Sequence, residues 1–129
     1  GDVAEPVGAG HIELLAHELE QYFAGELTAF TVPLDPRGTP FQLKAWKALQ
    51  VIPYGQTRTY AQQAAAIEQP SAVRAVGKAN GDNPIPIVIP CHRVIGANGS
   101  LVGYGGGIER KRALLELEQR ASGQTLMPG

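Results

Sequence analysis

The stretch PIVIPCHRVIG, residues 86–96, sets the only cysteine of the chain between a proline and a histidine. A thiol with an unperturbed pKa of about 8.5 is only a few per cent thiolate at neutral pH, so it needs a base or a cation to become a nucleophile. By residue type His92 is that base, and Arg93 adds positive charge that favours the thiolate. Pro84, Pro86 and Pro90 fix φ along the approach, which leaves the sulfur little entropy to lose. The segment reads as a stiff strand end. Neighbours on a strand point to opposite faces, so His92 is expected to reach Cys91 through a water and to need an acceptor that orients it. The default for a lone cysteine is a small buried hydrophobe. A cysteine hydrolase requires an oxyanion hole and a polar orienter for His92, and nothing local identifies either. Metal binding is poorly supported, because His11 and His17 lie far away in an acidic helix and no zinc spacing results.

The elements that must position these residues follow from capping and periodicity. The first ten residues, with three glycines and a proline, read as a flexible end. HIELLAHELEQYFAG places Ile12, Leu15, Leu19 and Tyr22/Phe23 at helical spacing, with Gly25 as the stop. FTVPLDPRG, residues 30–38, reads as an extended linker broken by Pro33 and Pro36. Thr39 with Gln42 is a capping box with Pro40 at the first helical position, and Phe41, Ala45, Trp46 and Leu49 form the apolar stripe behind it. Thr59 with Gln62 repeats the box ahead of YAQQAAAIEQ. After Pro70 a short helix is expected from Ser71 to about Asn80, carrying Arg74 and Lys78. The two helices fit a helix-turn-helix and equally an ordinary structural pair. GDNPIPIVIP should be extended, with its prolines limiting strand pairing. Asn98-Gly99 signals a short hairpin. GYGGG (103–107) reads as a loop that something can approach closely, and IERKRALLELEQR as a closing helix with Ile108, Leu114, Leu115 and Leu117 inward.

At 129 residues the chain fits one domain, or one and a small appendage. No apolar stretch approaches the roughly 20 residues of a membrane span, and no signal peptide opens the sequence. A single cysteine makes no internal disulfide and favours a reducing, intracellular setting. The net charge of −1 hides an uneven distribution: residues 1–38 balance at −6, whereas 57–112 balance at +4. A basic middle suits a face offered to a polyanion, though an uneven solvated surface gives the same numbers.

IPCHRVIG together with RAVGKANGDNP and TYAQQAA resembles the O6-alkylguanine-DNA alkyltransferases, in that family's order and spacing, from about Thr39 to Glu118. The stretch 11–41 also resembles what leads into that domain. The resemblance implies a mainly α (α+β overall) fold, with a winged-helix-like helix-turn-helix, a short hairpin and a C-terminal helix. It implies that residues 39–129 are the catalytic and DNA-binding domain, and that 1–38 are a helix and linker joining to an absent or truncated N-terminal domain. It also implies direct, irreversible, one-turnover transfer of the alkyl group from O6-alkylguanine to Cys91, with O4-alkylthymine as a further candidate substrate.

Carried over by motif, His92 is the base, Glu118 its orienting carboxylate, Asn83 a buttress of the turn, and Tyr60 a phenol that rotates the phosphate and protonates the leaving guanine. Arg74 fills the gap in the base stack. Ser71, Ala72, Gly77 and Lys78 join Tyr60 and Arg74 on the DNA, where small residues permit minor-groove approach. Val94, Tyr104 and Gly105 wall the pocket, with Gly105 where some members carry a serine. No cofactor and no metal are implied. The implied partner is double-stranded DNA carrying an alkylated guanine, bound by a monomer away from membranes, in the cytoplasm of a bacterium or the nucleus of a eukaryote. The alternative is a lesion-binding, alkyltransferase-like protein without transfer activity. Such relatives replace the acceptor cysteine, which is intact here.

Overall fold

Thr39 and Thr59 each open a helix as their sequences dictate. In both, the threonine Oγ1 accepts from the backbone N–H three residues on (3.1 Å), and the glutamine there accepts from the threonine N–H, at 2.9 Å for Gln42 and 2.8 Å for Gln62. A computed structural model of the protein describes residues 7–101, 104 and 107–123, with side chains from residue 10 onward. The chain divides into two compact units, Gly1–Asp35 and Pro36–Gly129.

The first unit is built on α1 (Val7–Phe23), which begins four residues ahead of the expected start, so Val7–Gly10 are helical. Gly25, at φ +77°, ends it. Of its expected apolar stripe only Tyr22 is fully buried; Ile12 and Phe23 are exposed. The presumed linker is not free here. Glu18, itself buried, accepts from the Thr31 N–H and hydroxyl and from the Val32 N–H, and the Phe30 ring lies 5.6 Å from that of Tyr22. Burial alone pushes the Glu18 carboxyl up, but these hydrogen bonds outweigh it and hold the group below its ordinary value.

The second unit packs α2 (Pro40–Gln50), α3 (Tyr60–Ala66) and α4 (Val73–Gly81) together, with a two-residue ladder, a 3-10 turn at Cys91–Arg93 and α5 (Ile108–Ala121). Trp46 on α2 is the largest core side chain and donates its indole N–H to the Ala79 carbonyl of α4 (2.8 Å). Gly38 lies so close to that ring that a Cβ would stand 2.8 Å from it. Gln63 and Asn80 exchange two buried amide hydrogen bonds at 2.9 and 2.8 Å, fixing α3 against α4. The two buried amides offset each other's desolvation cost and hold the helices in one register.

Three expectations change. The Asn98-Gly99 turn forms, with the Gly96 N–H on Ser100 O, but Val94–Ile95 (β2) pairs parallel with Arg58–Thr59 (β1) instead of in a hairpin, and residues 102 and 103 lie outside those described. α4 starts at Val73, capped by no side chain, so Ser71 precedes the helix. On α5 the buried positions are Lys111, Leu114 and Glu118, while Ile108 is exposed. No described helix is long and apolar enough to cross a membrane.

Candidate active site

The segment expected to be extended coils instead. Asn83 replaces the backbone partners that the prolines remove: its Oδ1 accepts from the Ile85 N–H (2.9 Å) and its Nδ2 donates to the Ile89 carbonyl (2.7 Å). Ile89 also closes onto Ile85 O, and Ile87 is forced to φ +79°, a conformation that a β-branched residue adopts only under constraint. The chain leaves this loop directly into the 3-10 turn, so Cys91 and His92 sit on a turn and not on a strand end. Cys91 is 8 % exposed and His92 is fully buried.

His92 Nε2 lies 2.6 Å from Glu118 Oε2. The same carboxylate accepts from Arg93 Nε (2.8 Å, on Oε1), Arg93 Nη2 (3.0 Å, on Oε2) and the Gly55 N–H (3.1 Å, on Oε1). Burial lowers the His92 pKa below its ordinary value, against the pull of Glu118 and with the help of Arg93 and Lys111, so the imidazole is neutral at neutral pH.

Arg93 does not play the part expected of it. Its guanidinium is spent on Glu118 and on the Ile52 carbonyl (2.8 Å). Among the described residues, the cation whose charge acts on the Cys91 thiol is Lys111, fully buried on α5 and missed by sequence reasoning. Burial pushes the Cys91 thiol up, while the Asn83 hydrogen bond and the Lys111 charge pull it back. Lys111 Nζ also stands 5.8 Å from the centroid of the Tyr60 ring. Burial, reinforced by Cys91, raises Tyr60 above its ordinary value, so it remains a phenol that can donate a proton. Tyr104 is pushed up to about 12 by burial and by Cys91.

The structure thus sets Asn83, Tyr60, Tyr104 and Lys111 within electrostatic reach of the Cys91 thiol, and Glu118 against His92, the next residue in the chain. Arg74, Lys78 and Ser71 are exposed and Ala72 half-buried; Lys78 pairs with Asp82 at 3.3 Å. A Cβ on Gly77 would meet the Tyr60 ring at 3.9 Å, an ordinary contact, so this glycine lies against Tyr60. Val94 is fully buried, and Gly105 lies outside the described residues. A groove of about 370 Å³ between α2 and α3 is lined by Lys44, Lys47 and Val51 and does not touch Cys91.

A family profile described as 6-O-methylguanine DNA methyltransferase, DNA binding domain, matches residues 40–120. The chain belongs to this family. Its methyltransferase relatives include the methylated-DNA–protein-cysteine methyltransferase of Mycobacterium tuberculosis, 67 % identical over 102 residues that make up 79 % of this chain and 62 % of the relative. The chain therefore spans less than two thirds of that relative's length. The namesake from Mycolicibacterium paratuberculosis is 58 % identical over 118 residues, 92 % of this chain and 69 % of the relative. Among solved methyltransferases, the crystal structure of Mycobacterium tuberculosis OGT in complex with DNA superposes with a TM-score of 0.83 at 62 % identity, covering 84 % of this chain and 68 % of that one.

Proposed function

We propose that the protein repairs alkylated DNA by moving the alkyl group from the O6 of guanine to Cys91, once and irreversibly. The observation that carries this reading is the buried His92–Glu118 pair directly beside Cys91 in one 3-10 turn. His92 takes the thiol proton through Nδ1 and Glu118 steadies the imidazolium that results. The sulfur forms a bond to the alkyl carbon as the carbon–O6 bond breaks, and that electron pair leaves with guanine. The Tyr60 phenol gives the departing ring a proton, which balances the one His92 has taken, and the Lys111 ammonium favours the transient phenolate. A thioether is chemically stable, so turnover stops at one per chain, and no cofactor enters.

Chemistry on a stacked base requires its extrusion, at a cost of a few kcal/mol. Exposed Arg74 on α4 is the side chain to fill the vacancy, with Ser71, Ala72, Gly77, Lys78 and Tyr60 along a minor-groove contact. Asn83 buttresses the turn, and Val94 and Tyr104 belong to the pocket wall. A monomer acting in the cytoplasm suits this reading. Mixing the protein with a short duplex containing O6-methylguanine should raise its intact mass by one methyl group, and Cys91→Ala should abolish the gain. Tight binding without any gain would assign the protein to the lesion-binding class instead.

A further inference from the structure

The turn between α2 and β1 supplies three contacts to the charged cluster beneath the reactive sulfur, although it lies some forty residues away in sequence and contains none of the motif residues. Ile52 gives its carbonyl to Arg93 Nη1 at 2.8 Å, Gly55 gives its N–H to Glu118 Oε1 at 3.1 Å, and the Tyr54 ring lies under the Arg93 guanidinium with 5.6 Å from Cζ to the ring centroid. Gly55 holds φ +79°, a conformation that favours glycine and that aims its N–H inward. Arg93 in turn forks onto both oxygens of Glu118 at 2.8 and 3.0 Å, the geometry in which arginine fixes a carboxylate's rotation as well as its charge. We propose that this turn is a positioning element for the alkyl-acceptor site, with Tyr54 the residue that holds Arg93 square to Glu118 and so fixes the carboxylate that orients His92. Tyr54 acts through Arg93 and touches neither substrate nor sulfur.

The proposal rests on Cys91 being the alkyl acceptor, but its test does not. The rate at which iodoacetamide alkylates Cys91 needs no DNA, and with His92 taking the thiol proton the acid limb of its pH dependence follows His92. Among the described residues, the groups that act on His92 are Glu118 and Lys111 from α5 and Arg93 from its own turn; Cys91 precedes it in the chain, Tyr60 from α3 acts on Cys91, and Tyr54 from the α2–β1 turn acts on Glu118 and Arg93.

In Tyr54→Leu the guanidinium loses its aromatic face, Arg93 no longer offsets Glu118 fully, and His92 binds its proton more readily. The acid limb of the profile should move to higher pH by about 0.4 to 1.5 pH units, the equivalent of one face-on cation contact, and the rate on that limb should fall with it. Tyr54→Phe keeps the ring and should restore both. Arg93→Lys, which cannot fork, should move the limb in the same direction as Tyr54→Leu. A merely structural role would lower the rate equally at every pH. The proposal is overturned if Tyr54→Leu leaves the limb in place, or if Tyr54→Phe behaves as Leu does. Failure of the wild-type protein to take methyl from DNA while the limb still moves would overturn the transfer reading and leave this one standing.

Discussion

Replacing Glu118 by glutamine isolates the charge at the centre of the site while keeping its shape. In the native protein this fully buried carboxylate accepts four hydrogen bonds, two from Arg93, one from the Gly55 N–H and one shared with His92 Nε2. An amide offers a single oxygen, so its NH2 must face donors on the other side. Arg93, only 7 % exposed, then carries a positive charge with no counterion. Breaking one side of a buried ion pair costs about 3–5 kcal/mol, a large share of the roughly 5–15 kcal/mol that holds a domain of this size. In urea the unfolding midpoint should drop by about 1 M or more, with the slope unchanged. The control is a double variant, Glu118→Gln with Arg93→Met, in which both charges are gone. Its loss should be smaller than the sum of the two single losses by about 2 kcal/mol or more. A single-variant cost under about 1 kcal/mol, or strict additivity, would refute the claim that Glu118 is the buried counterion of Arg93.

Three further outcomes follow from the same geometry. Asn83→Ala strands the Ile85 N–H and the Ile89 carbonyl, at about 1–3 kcal/mol for each group, so the melting temperature should fall by about 7–20 °C and methyl transfer should slow with it. Lys111→Met removes the cation near the sulfur at nearly constant volume; a charge worth about 1 kcal/mol there should slow iodoacetamide labelling at pH 7 about fivefold, and unchanged labelling would remove Lys111 from the site. Because burial lowers the His92 pKa in the folded state, the unfolded chain takes the proton first as pH falls below 6.5. Stability should therefore decline with acidification by up to about 1.4 kcal/mol per pH unit, a slope that denaturant titrations of His92→Gln should lack.

Much of this was legible in the sequence because local chemistry decides it. The capping boxes at Thr39 and Thr59 are satisfied within four residues, and no tertiary contact needed to be known to place them. Trp46 reads as core from its spacing with Leu49 and is core. The charged stripe of α5 was not legible by the same logic. Lys111 and Glu118 face inward with Leu114, and charged residues are almost never buried unless a partner from elsewhere in the chain meets them. Glu118 was reached only through the family resemblance, and Lys111 was not reached at all. The course of residues 84–90 was equally hidden. Proline and β-branched residues argue for an extended strand, whereas the side chain of Asn83 supplies the hydrogen bonds that coil the segment. Arg93 was misjudged because adjacency in sequence says nothing about which neighbour a long side chain reaches.

The most direct test of the central claim is a titration. A fixed amount of protein is mixed with increasing amounts of duplex bearing O6-methylguanine, and the methyl groups lost from the DNA are counted together with the mass of the peptide that contains Cys91. The account predicts a plateau at one methyl per chain, all of it on that peptide, with no further loss on longer incubation. Continued loss beyond one equivalent, or methyl found on any other residue, would contradict it.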